Sequence, residues 1–291
     1  MMRLADILAV ILVTAIWGFN FVVIEWGLEG MPPFLLSGIR FALVVFPAIF
    51  FLPRPDTSWQ NIVLFGVFFG LIQFGLLFFA MAVGISAGLA SVVIQSQAFF
   101  TAGLSFLLFA ERLSGRRMAG ILLAFVGIGI IGSLQDTSTN PIAVMIVLIA
   151  GLSWAAANLV NKRVASPNMV SFVVWASLIP PIPLLLVSLW LDGGTVIAAT
   201  LGRVNLQTIA SLLFIAYAST ILGYGIWTRL VVKYSPGLVA PFALLVPVFG
   251  MLSSWLFRGE YFGPLKLGAV SLVMLGLALT VLQPRRRTPQ I

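Results

Sequence analysis

The chain has 291 residues, of which 61% are hydrophobic and only 8% are charged. Soluble domains carry about 25% charged residues, so this composition excludes a soluble globular protein, a disordered chain and a coiled coil. The chain has no cysteine and no histidine, which excludes thiolate chemistry, Cys/His metal sites and a Ser-His-Asp triad. We therefore expect no metal and no cofactor. The net charge of +8 does not point to nucleic acid, because the basic residues lie in short segments between long apolar runs.

Ten apolar runs follow one another along the chain, and each has about the 20 residues that a membrane-spanning helix needs. The runs are continuous rather than alternating in polarity, which argues against a porin-like barrel. Nine further runs follow the first one, so we interpret it as a helix and not as a signal peptide. The sequence predicts an all-α polytopic membrane protein with ten helices, over Leu4–Trp26, Phe34–Leu52, Ile62–Val83, Leu89–Phe109, Met118–Leu134, Ile142–Asn161, Val170–Leu191, Leu206–Thr228, Leu238–Phe257 and Leu265–Leu282.

Basic residues are distributed unequally between the two sides of these helices. Only Arg203, Arg258 and Lys266 fall on the side away from the N-terminus. Twelve fall on the side of the N-terminus, namely Arg3, Arg54, Arg112, Arg116, Arg117, Lys162, Arg163, Arg229, Lys233 and Arg285–Arg287. The positive-inside rule therefore predicts that both termini are cytoplasmic.

Two stretches in different halves of the chain align without a gap. Residues 87–111 read AGLASVVIQSQAFFTAGLSFLLFAE, and residues 236–260 read PGLVAPFALLVPVFGMLSSWLFRGE, so that Glu111 aligns with Glu260. This repeat divides the chain into residues 1–137 and 138–291, with five helices each. Because five is odd, the second copy inserts upside down. An inverted repeat of five plus five helices places the substrate near the membrane midplane, between the halves, as in secondary transporters.

Seven segments, in order along the ten helices, resemble the EamA-type branch of the drug/metabolite transporter superfamily. They are WGFNFVVI (17–24), MPPFLLSGIRF (31–41), GLASVVIQSQAFFT (88–101), ERLSGRRMAG (111–120), SWAAANLVNK (153–162), GYGIW (223–227) and VAPFALLVPVFG (239–250). The resemblance implies a bacterial inner-membrane exporter of small metabolites. The segments are most similar to those of amino-acid exporters of the cysteine and O-acetylserine type, and then to those of the aromatic type. The halves differ from each other where Ala98 aligns with Pro247, and where Asn20 aligns with Ala157 rather than Asn158.

Arg40 is the one basic residue well inside a predicted span, about 9 Å along the helix from Phe34 at 1.5 Å per residue. A charge at this depth is a candidate functional group, here for a substrate carboxylate. The alternative is a structural arginine that snorkels or pairs with Glu25. All acidic residues fall in loops or at span ends, so we predict facilitated export rather than antiport through a buried carboxylate. Glu25 is the acid placed to contradict this prediction.

Polar and aromatic side chains at helical spacing indicate a cavity. Tyr217, Thr220, Tyr224 and Trp227 form one such stripe. An asparagine that faced lipid would leave its amide unpaired, so such residues face protein or water. Interhelical hydrogen bonding and an interfacial aromatic belt are the alternative roles. The candidate substrate-binding residues are Trp17, Asn20, Arg40, Gln73, Phe78, Gln95, Gln97, Trp154, Asn158, Tyr217 and Tyr224.

The fourth and ninth predicted helices are candidates for interruption. Gln95 and Gln97 lie about 200° apart on an unbroken helix, so both can face one cavity only if the helix breaks. In the matching helix, Pro241 and Pro247 remove backbone hydrogen bonds. We predict bends near 95–98 and 241–247, with Ala98, Pro241 and Pro247 as hinges of the gates. A static kink is the alternative.

Other functional classes fit these features less well. A channel shows pore-lining rings, and a membrane enzyme needs a catalytic set, and neither is visible in the sequence. A multidrug exporter of aromatic cations is the main alternative, although it favours a buried carboxylate beside an aromatic box. The sequence therefore predicts an exporter of amino acids and related small metabolites that works by alternating access, as a monomer in the lipid bilayer.

Overall fold

The computed structural model describes residues 2–109, 114–134, 139–164, 168–234 and 236–282. Within these ranges ten helices are long and apolar enough to span a membrane, which confirms the prediction. Glu111, Arg112 and Arg285–Arg287 lie outside the described ranges. In chain order we label the helices α1 to α10, and they cover Leu4–Gly30, Pro33–Phe50, Trp59–Val83, Ala87–Leu108, Gly115–Ser133, Pro141–Val164, Met169–Asp192, Leu206–Tyr234, Ala240–Arg258 and Pro264–Val281.

Local sequence sets several helix starts. Ser58, Ser86 and Asn205 each accept a hydrogen bond from a backbone N–H three residues further on, in the manner of N-caps. Pro33 and Pro264 occupy the first helical position, where the N–H that proline lacks has no intrahelical partner in any case. These signals start α2, α3, α4, α8 and α10 at defined residues.

The packing of the helices follows a twofold relation between the halves. Helix α1 packs against α8 and α9, and its counterpart α6 packs against α3 and α4. Helix α2 pairs with α7, and α5 pairs with α10. The result is two groups, α1–α8–α9 and α3–α4–α6, each built from both halves of the sequence. Ten crossings leave Met2 and Leu282 on one face, which we call the terminal face, and Met31 and Gly259 on the opposite face.

Helices α5 and α10 meet through glycines. A Cβ atom placed on Gly276 would lie 2.4 Å from the carbonyl oxygen of Gly120, and one on Gly120 would lie 2.7 Å from that of Gly276. Close contact of two backbones at small residues is the usual means of helix association in membranes.

We expect Gly276→Ala to lower the melting temperature of the protein in detergent, because overpacking a close contact costs about 1–3 kcal/mol. Gly268→Ala is the matched control in the same helix, since nothing lies within 4 Å of a Cβ at Gly268. That control should be neutral or stabilising, because alanine exceeds glycine in helix propensity by about 1 kcal/mol. Equal melting temperatures for the two variants would contradict the packing described here.

Helices α3 and α8 each contain a π-helical stretch, over Gly66–Phe74 and Phe214–Leu222. The two stretches occupy matching places in the two halves. Such wide turns occur frequently at functional sites, and they rotate every side chain that follows them relative to an α-helix.

Helix α4 is interrupted in its first half, and α9 begins with a 3₁₀ turn. Helix α4 consists of the pieces Ala87–Val93 and Ser96–Phe109. In α9 a 3₁₀ turn over Ala240–Leu244 leads into the regular piece Leu245–Arg258. These interruptions overlap the two regions in which bends are expected, although α9 is regular through Pro247. The bends and their role as gates stay predictions.

Candidate functional site

A cavity of about 310 Å³ lies between the α1–α8–α9 group and the α3–α4–α6 group. It extends from the middle of the bundle to the terminal face, where Asn161, Met169 and Val281 line it at the ends of α6, α7 and α10. Ten of the fourteen candidate binding and hinge residues line this cavity: Trp17, Asn20, Arg40, Gln73, Gln95, Gln97, Ala98, Trp154, Asn158 and Tyr224. Thr220 and Trp227 of the stripe in α8 also line it.

Arg40 is the one charged side chain among the described residues that line the cavity. It is 2% exposed, and its Nη2 donates to Thr220 Oγ1 at 3.1 Å. The guanidinium carbon lies 3.8 Å from the ring centroid of Phe74 and 4.5 Å from that of Phe41, which is a cation–π arrangement. Its Nε and Nη1 have no hydrogen-bond partner. The Arg40 side chain is therefore held in place through Nη2, and its Nε and Nη1 remain available to donate to a ligand.

The alternative in which Arg40 pairs with Glu25 is wrong. Glu25 lies at the opposite face, where its carboxylate accepts from Arg258 Nε at 3.0 Å. Arg258 also binds Glu29 through Nη1 at 2.7 Å. Arg258 pairs with Glu25 because both residues lie at helix ends on the same face. Arg40 lies deeper in the membrane.

Two uncharged acceptors share the cavity with Arg40. Asn20 is 7% exposed and Gln73 is 1% exposed, and both line the cavity. Neither Asn20 Oδ1 nor Gln73 Oε1 has a hydrogen-bond partner. An unpaired buried polar atom destabilises a protein by about 1–3 kcal/mol, so these atoms are available to a ligand that can donate.

One wall of the cavity is aromatic. The Trp17 ring centroid lies 5.4 Å from that of Tyr224 and 5.1 Å from that of Trp227. Phe69 of the π-helical stretch in α3 adds a ring 5.9 Å from Tyr224. Trp17 is fixed in place because its Nε1 donates to the backbone oxygen of Ser219 at 2.9 Å, in the π-helical stretch of α8.

A hydrogen-bonded set ties α4 to α6 at the cavity. Asn158 Nδ2 donates to Gln97 Oε1 at 2.7 Å and to Thr101 Oγ1 at 3.2 Å. Gln95 reaches the opposite wall, where its Nε2 lies 3.5 Å from the backbone oxygen of Ala243 in α9. Both glutamines line one cavity, as the sequence allows only for a broken helix, because Gln95 lies in the break of α4 and Gln97 in the piece that follows it.

The opposite face of the bundle is closed. Between the middle of the bundle and that face, α9 packs so tightly on α1 and α4 that a Cβ at Gly18 would lie 2.5 Å from Phe249 Cβ, and a Cβ at Gly250 would lie 2.3 Å from Ser91 Oγ. The Arg258 ion pairs with Glu25 and Glu29 are on this face. The molecule is therefore open toward the terminal face and shut at the other.

Glu260 is a buried acid at the closed face. It is 8% exposed and accepts hydrogen bonds from the hydroxyls of Ser86 and Ser254 and, at 3.2 Å, from the backbone N–H of Gly88. Burial raises the pKa of Glu260 above its ordinary value, although these hydrogen bonds and nearby Lys266 act in the other direction.

Tyr217 and Phe78 do not line the cavity, contrary to the sequence prediction. The π-helical stretch rotates Tyr217 out of the stripe that Thr220 and Tyr224 share, and its hydroxyl donates to the backbone oxygen of Phe46 at 2.8 Å. Phe78 is fully buried behind the cavity wall, where it packs on Phe74 with centroids 6.1 Å apart.

The two prolines also lie outside the cavity lining. Pro241 belongs to the 3₁₀ turn of α9, and Pro247 lines a separate surface groove with Met251 and Phe262. Sequence reasoning missed Phe69 and Phe74, which line the cavity beside Gln73. Phe69 stands four positions before Gln73, and this spacing is the signal that could have indicated it.

The comparisons with known proteins agree with this architecture. The model of the EamA-like transporter family matches twice, over residues 4–133 and 141–282. A probable amino-acid metabolite efflux pump of Salmonella typhimurium is 43% identical over 97% of this chain and 96% of its own length. A protein of the same description from Escherichia coli K12 is 44% identical over 95% of each chain.

A solved crystal structure shares the fold with a TM-score of 0.62 and 16% identity, over 97% of this chain and 98% of that chain. At this identity the likeness concerns the fold alone. The family model, by contrast, covers both five-helix repeats and nearly every described residue. The chain therefore belongs to the EamA-like transporter family.

Proposed function

We propose that this protein exports amino acids and related small metabolites from the bacterial cytoplasm by alternating access. The observation that carries the proposal is Arg40, a buried cation with unpaired donors in a midplane cavity. The names of the two relatives at 43% and 44% identity support the same substrate class.

The carboxylate of the substrate binds Arg40 in this proposal. Nε and Nη1 are without partners, and either of them can donate to a carboxylate beside the second N–H of Nη2. Two parallel bonds of this kind give both affinity and orientation. The aromatic rings of Phe41 and Phe74 and the Thr220 hydroxyl hold the guanidinium in place. Pre-organisation of this kind lowers the entropic cost of binding.

The α-ammonium group is held by uncharged acceptors. Asn20 Oδ1 and Gln73 Oε1 are unpaired, and neither adds a negative charge that would attract a plain cation. The side chain of the substrate packs on the wall of Trp17 and Tyr224. The cavity volume of about 310 Å³ equals about ten times the ~30 Å³ share of one liquid water, which is room for a molecule of amino-acid size.

The terminal face is the cytoplasmic face in this proposal. Twelve basic residues belong to the segments on that side and three to the other. The cavity then opens to the cytoplasm, which is the state in which an exporter loads its substrate. The described lining contains no carboxylate that could relay a proton, so the concentration difference of the substrate drives net export.

Export of aromatic cations is the second candidate, and the wall of Trp17, Tyr224 and Trp227 favours it. The positive charge of Arg40 opposes it. Quenching of tryptophan fluorescence by a cationic dye, with competition by zwitterionic amino acids, separates the two. Competition by the zwitterion and not by its carboxamide analogue supports amino-acid export, whereas tight dye binding that amino acids leave unchanged supports the alternative.

We expect Asn158→Ala to reduce transport about 5- to 150-fold without loss of membrane insertion. Each hydrogen bond of Asn158 to Gln97 and Thr101 contributes about 0.5–1.5 kcal/mol, and together they hold the second piece of α4, Ser96–Phe109, against α6. Asn61→Ala is the matched control, because its amide bonds Thr57 at the terminal face, away from the cavity. Wild-type flux for Asn158→Ala in reconstituted vesicles would show that Asn158 is not part of the site.

A further inference from the structure

A groove of about 460 Å³ lies on the surface of the bundle, between the start of α7 and the end of α8. Val170, Gly225 and Val232 give it an apolar lining, and Val232 is 72% exposed. Two basic residues, Arg229 and Lys233, line it as well. We call it the α7–α8 groove. It is distinct from the substrate cavity, because no described residue lines both.

The length of α8 places the two basic residues at the membrane surface. Its 29 residues extend about 43 Å at 1.5 Å per residue, whereas the hydrocarbon core is about 30 Å thick. Because α8 ends at Tyr234, Lys233 lies among the lipid headgroups and Arg229 lies about 6 Å deeper. Gly225 lies about 6 Å deeper again, at the level of the acyl chains. The α7–α8 groove therefore leads from the headgroup layer into the hydrocarbon core.

Arg229 supplies the net charge of the α7–α8 groove. Lys233 Nζ lies 2.7 Å from Asp6 Oδ2, so the charge of this lysine is balanced by an acid of α1. Arg229 is exposed and takes part in none of the ion pairs that join described residues. A cation at this depth attracts the anionic headgroups of the bilayer, and a guanidinium matches a phosphate through two parallel hydrogen bonds.

Gly225 keeps the deeper part of the groove open. A Cβ at Gly225 would lie 3.6 Å from Val170 Cγ2, which is an ordinary van der Waals distance, and it would meet no closer atom of another described helix. A larger side chain at this position is therefore compatible with the packing of α7 on α8, and it would extend into the groove. The missing side chain leaves space for an acyl chain beside Arg229.

We propose that the α7–α8 groove is a binding site for an anionic phospholipid of the bilayer. The headgroup phosphate binds Arg229, and one acyl chain lies along the apolar lining past Gly225. The charge of Arg229 selects an anionic headgroup over a zwitterionic one, and the depth of the groove selects a lipid over a free anion. The inference uses neither the substrate cavity nor alternating access, so it stands whatever the protein transports.

Native mass spectrometry of the full chain in detergent measures the binding of added phosphatidylglycerol, which is anionic, and of phosphatidylcholine, which is zwitterionic. We expect phosphatidylglycerol to bind at least about fivefold more tightly, since one basic residue near a membrane surface contributes about that factor. R229Q should abolish this preference. Gly225→Leu should weaken the binding of phosphatidylglycerol at least about fivefold, because the new side chain fills the groove, and it should leave the melting temperature unchanged.

Two matched controls lie outside the groove. Arg116 is exposed at the start of α5 on the same terminal face, and Gly268 of α10 has open space around it, so Arg116→Gln and Gly268→Leu should bind phosphatidylglycerol as the wild type does. Glycerol 3-phosphate carries the phosphate without chains and should not compete. Competition by glycerol 3-phosphate would reveal a site for free anions. Equal binding of both lipids, or an unchanged preference in R229Q and Gly225→Leu, would reveal only unselective lipid contact. Each of these results would overturn the proposal.

Discussion

Replacing Arg40 by methionine is expected to reduce the transport of carboxylate-bearing substrates at least about 30-fold and to leave the empty protein as stable as before, or more stable. Removing one partner of a buried charge pair costs about 2–5 kcal/mol in binding. In the empty protein, however, Arg40 is an unpaired buried cation, and its replacement by an apolar side chain of similar length relieves the cost of desolvation.

Flux in vesicles and the melting temperature in detergent together check this prediction. Arg203→Met is the control, because Arg203 is exposed between α7 and α8 and should affect neither quantity. R40K should retain part of the flux, since a lysine keeps the charge but loses the paired geometry. If R40M lowered the melting temperature and the flux together, Arg40 would be a structural residue.

Replacing Gly250 by leucine is expected to abolish closure of the opposite face and to reduce transport more than tenfold. A Cβ at this position would lie 2.3 Å from Ser91 Oγ and 2.5 Å from Ser91 Cβ, so a leucine forces α9 away from α4. Overpacking costs about 1–3 kcal/mol or more. Because this cost falls only on the state in which the opposite face is closed, it shifts the ratio of the closed and open states by about tenfold or more. The variant should therefore remain open toward the opposite face.

Thiol labelling gives the readout for this variant. A cysteine in place of Leu77, which lines the cavity, should react with an impermeant maleimide added at the opposite face only when Gly250→Leu is also present. Gly268→Leu is the control, since that position has open space around it. Equal labelling rates with and without Gly250→Leu would show that this contact does not close the opposite face.

The architecture could be predicted from the sequence because membrane spans and internal repeats are local or linear signals. Ten apolar runs and the match of residues 87–111 with 236–260 suffice for the helices and their inverted pairing. Part of the candidate site could also be predicted, because polar residues within apolar spans are visible in the sequence. Polar side chains such as Asn20, Gln73 and Arg40 are costly in lipid, so their presence within spans points to the interior.

The remaining features depend on contacts between helices that a linear pattern does not contain. The π-helical stretch of α8 removes Tyr217 from the stripe that an α-helical period predicts. The partner of Glu25 is Arg258, 233 positions away, and not the nearer Arg40. Glu260 looked like an ordinary acid at a helix end, and only the packing of α4 on α9 gives it three donors.

Counterflow in proteoliposomes tests the central claim most directly. Vesicles with purified protein are loaded with single unlabelled amino acids, their carboxamides or a cationic dye, and the entry of a labelled amino acid is followed with and without a pH gradient. We predict exchange for amino acids without a gradient, no exchange for carboxamides, and loss of exchange in R40M. Exchange that requires the gradient would contradict substrate-driven export, and exchange for the dye but for no amino acid would contradict the proposed function.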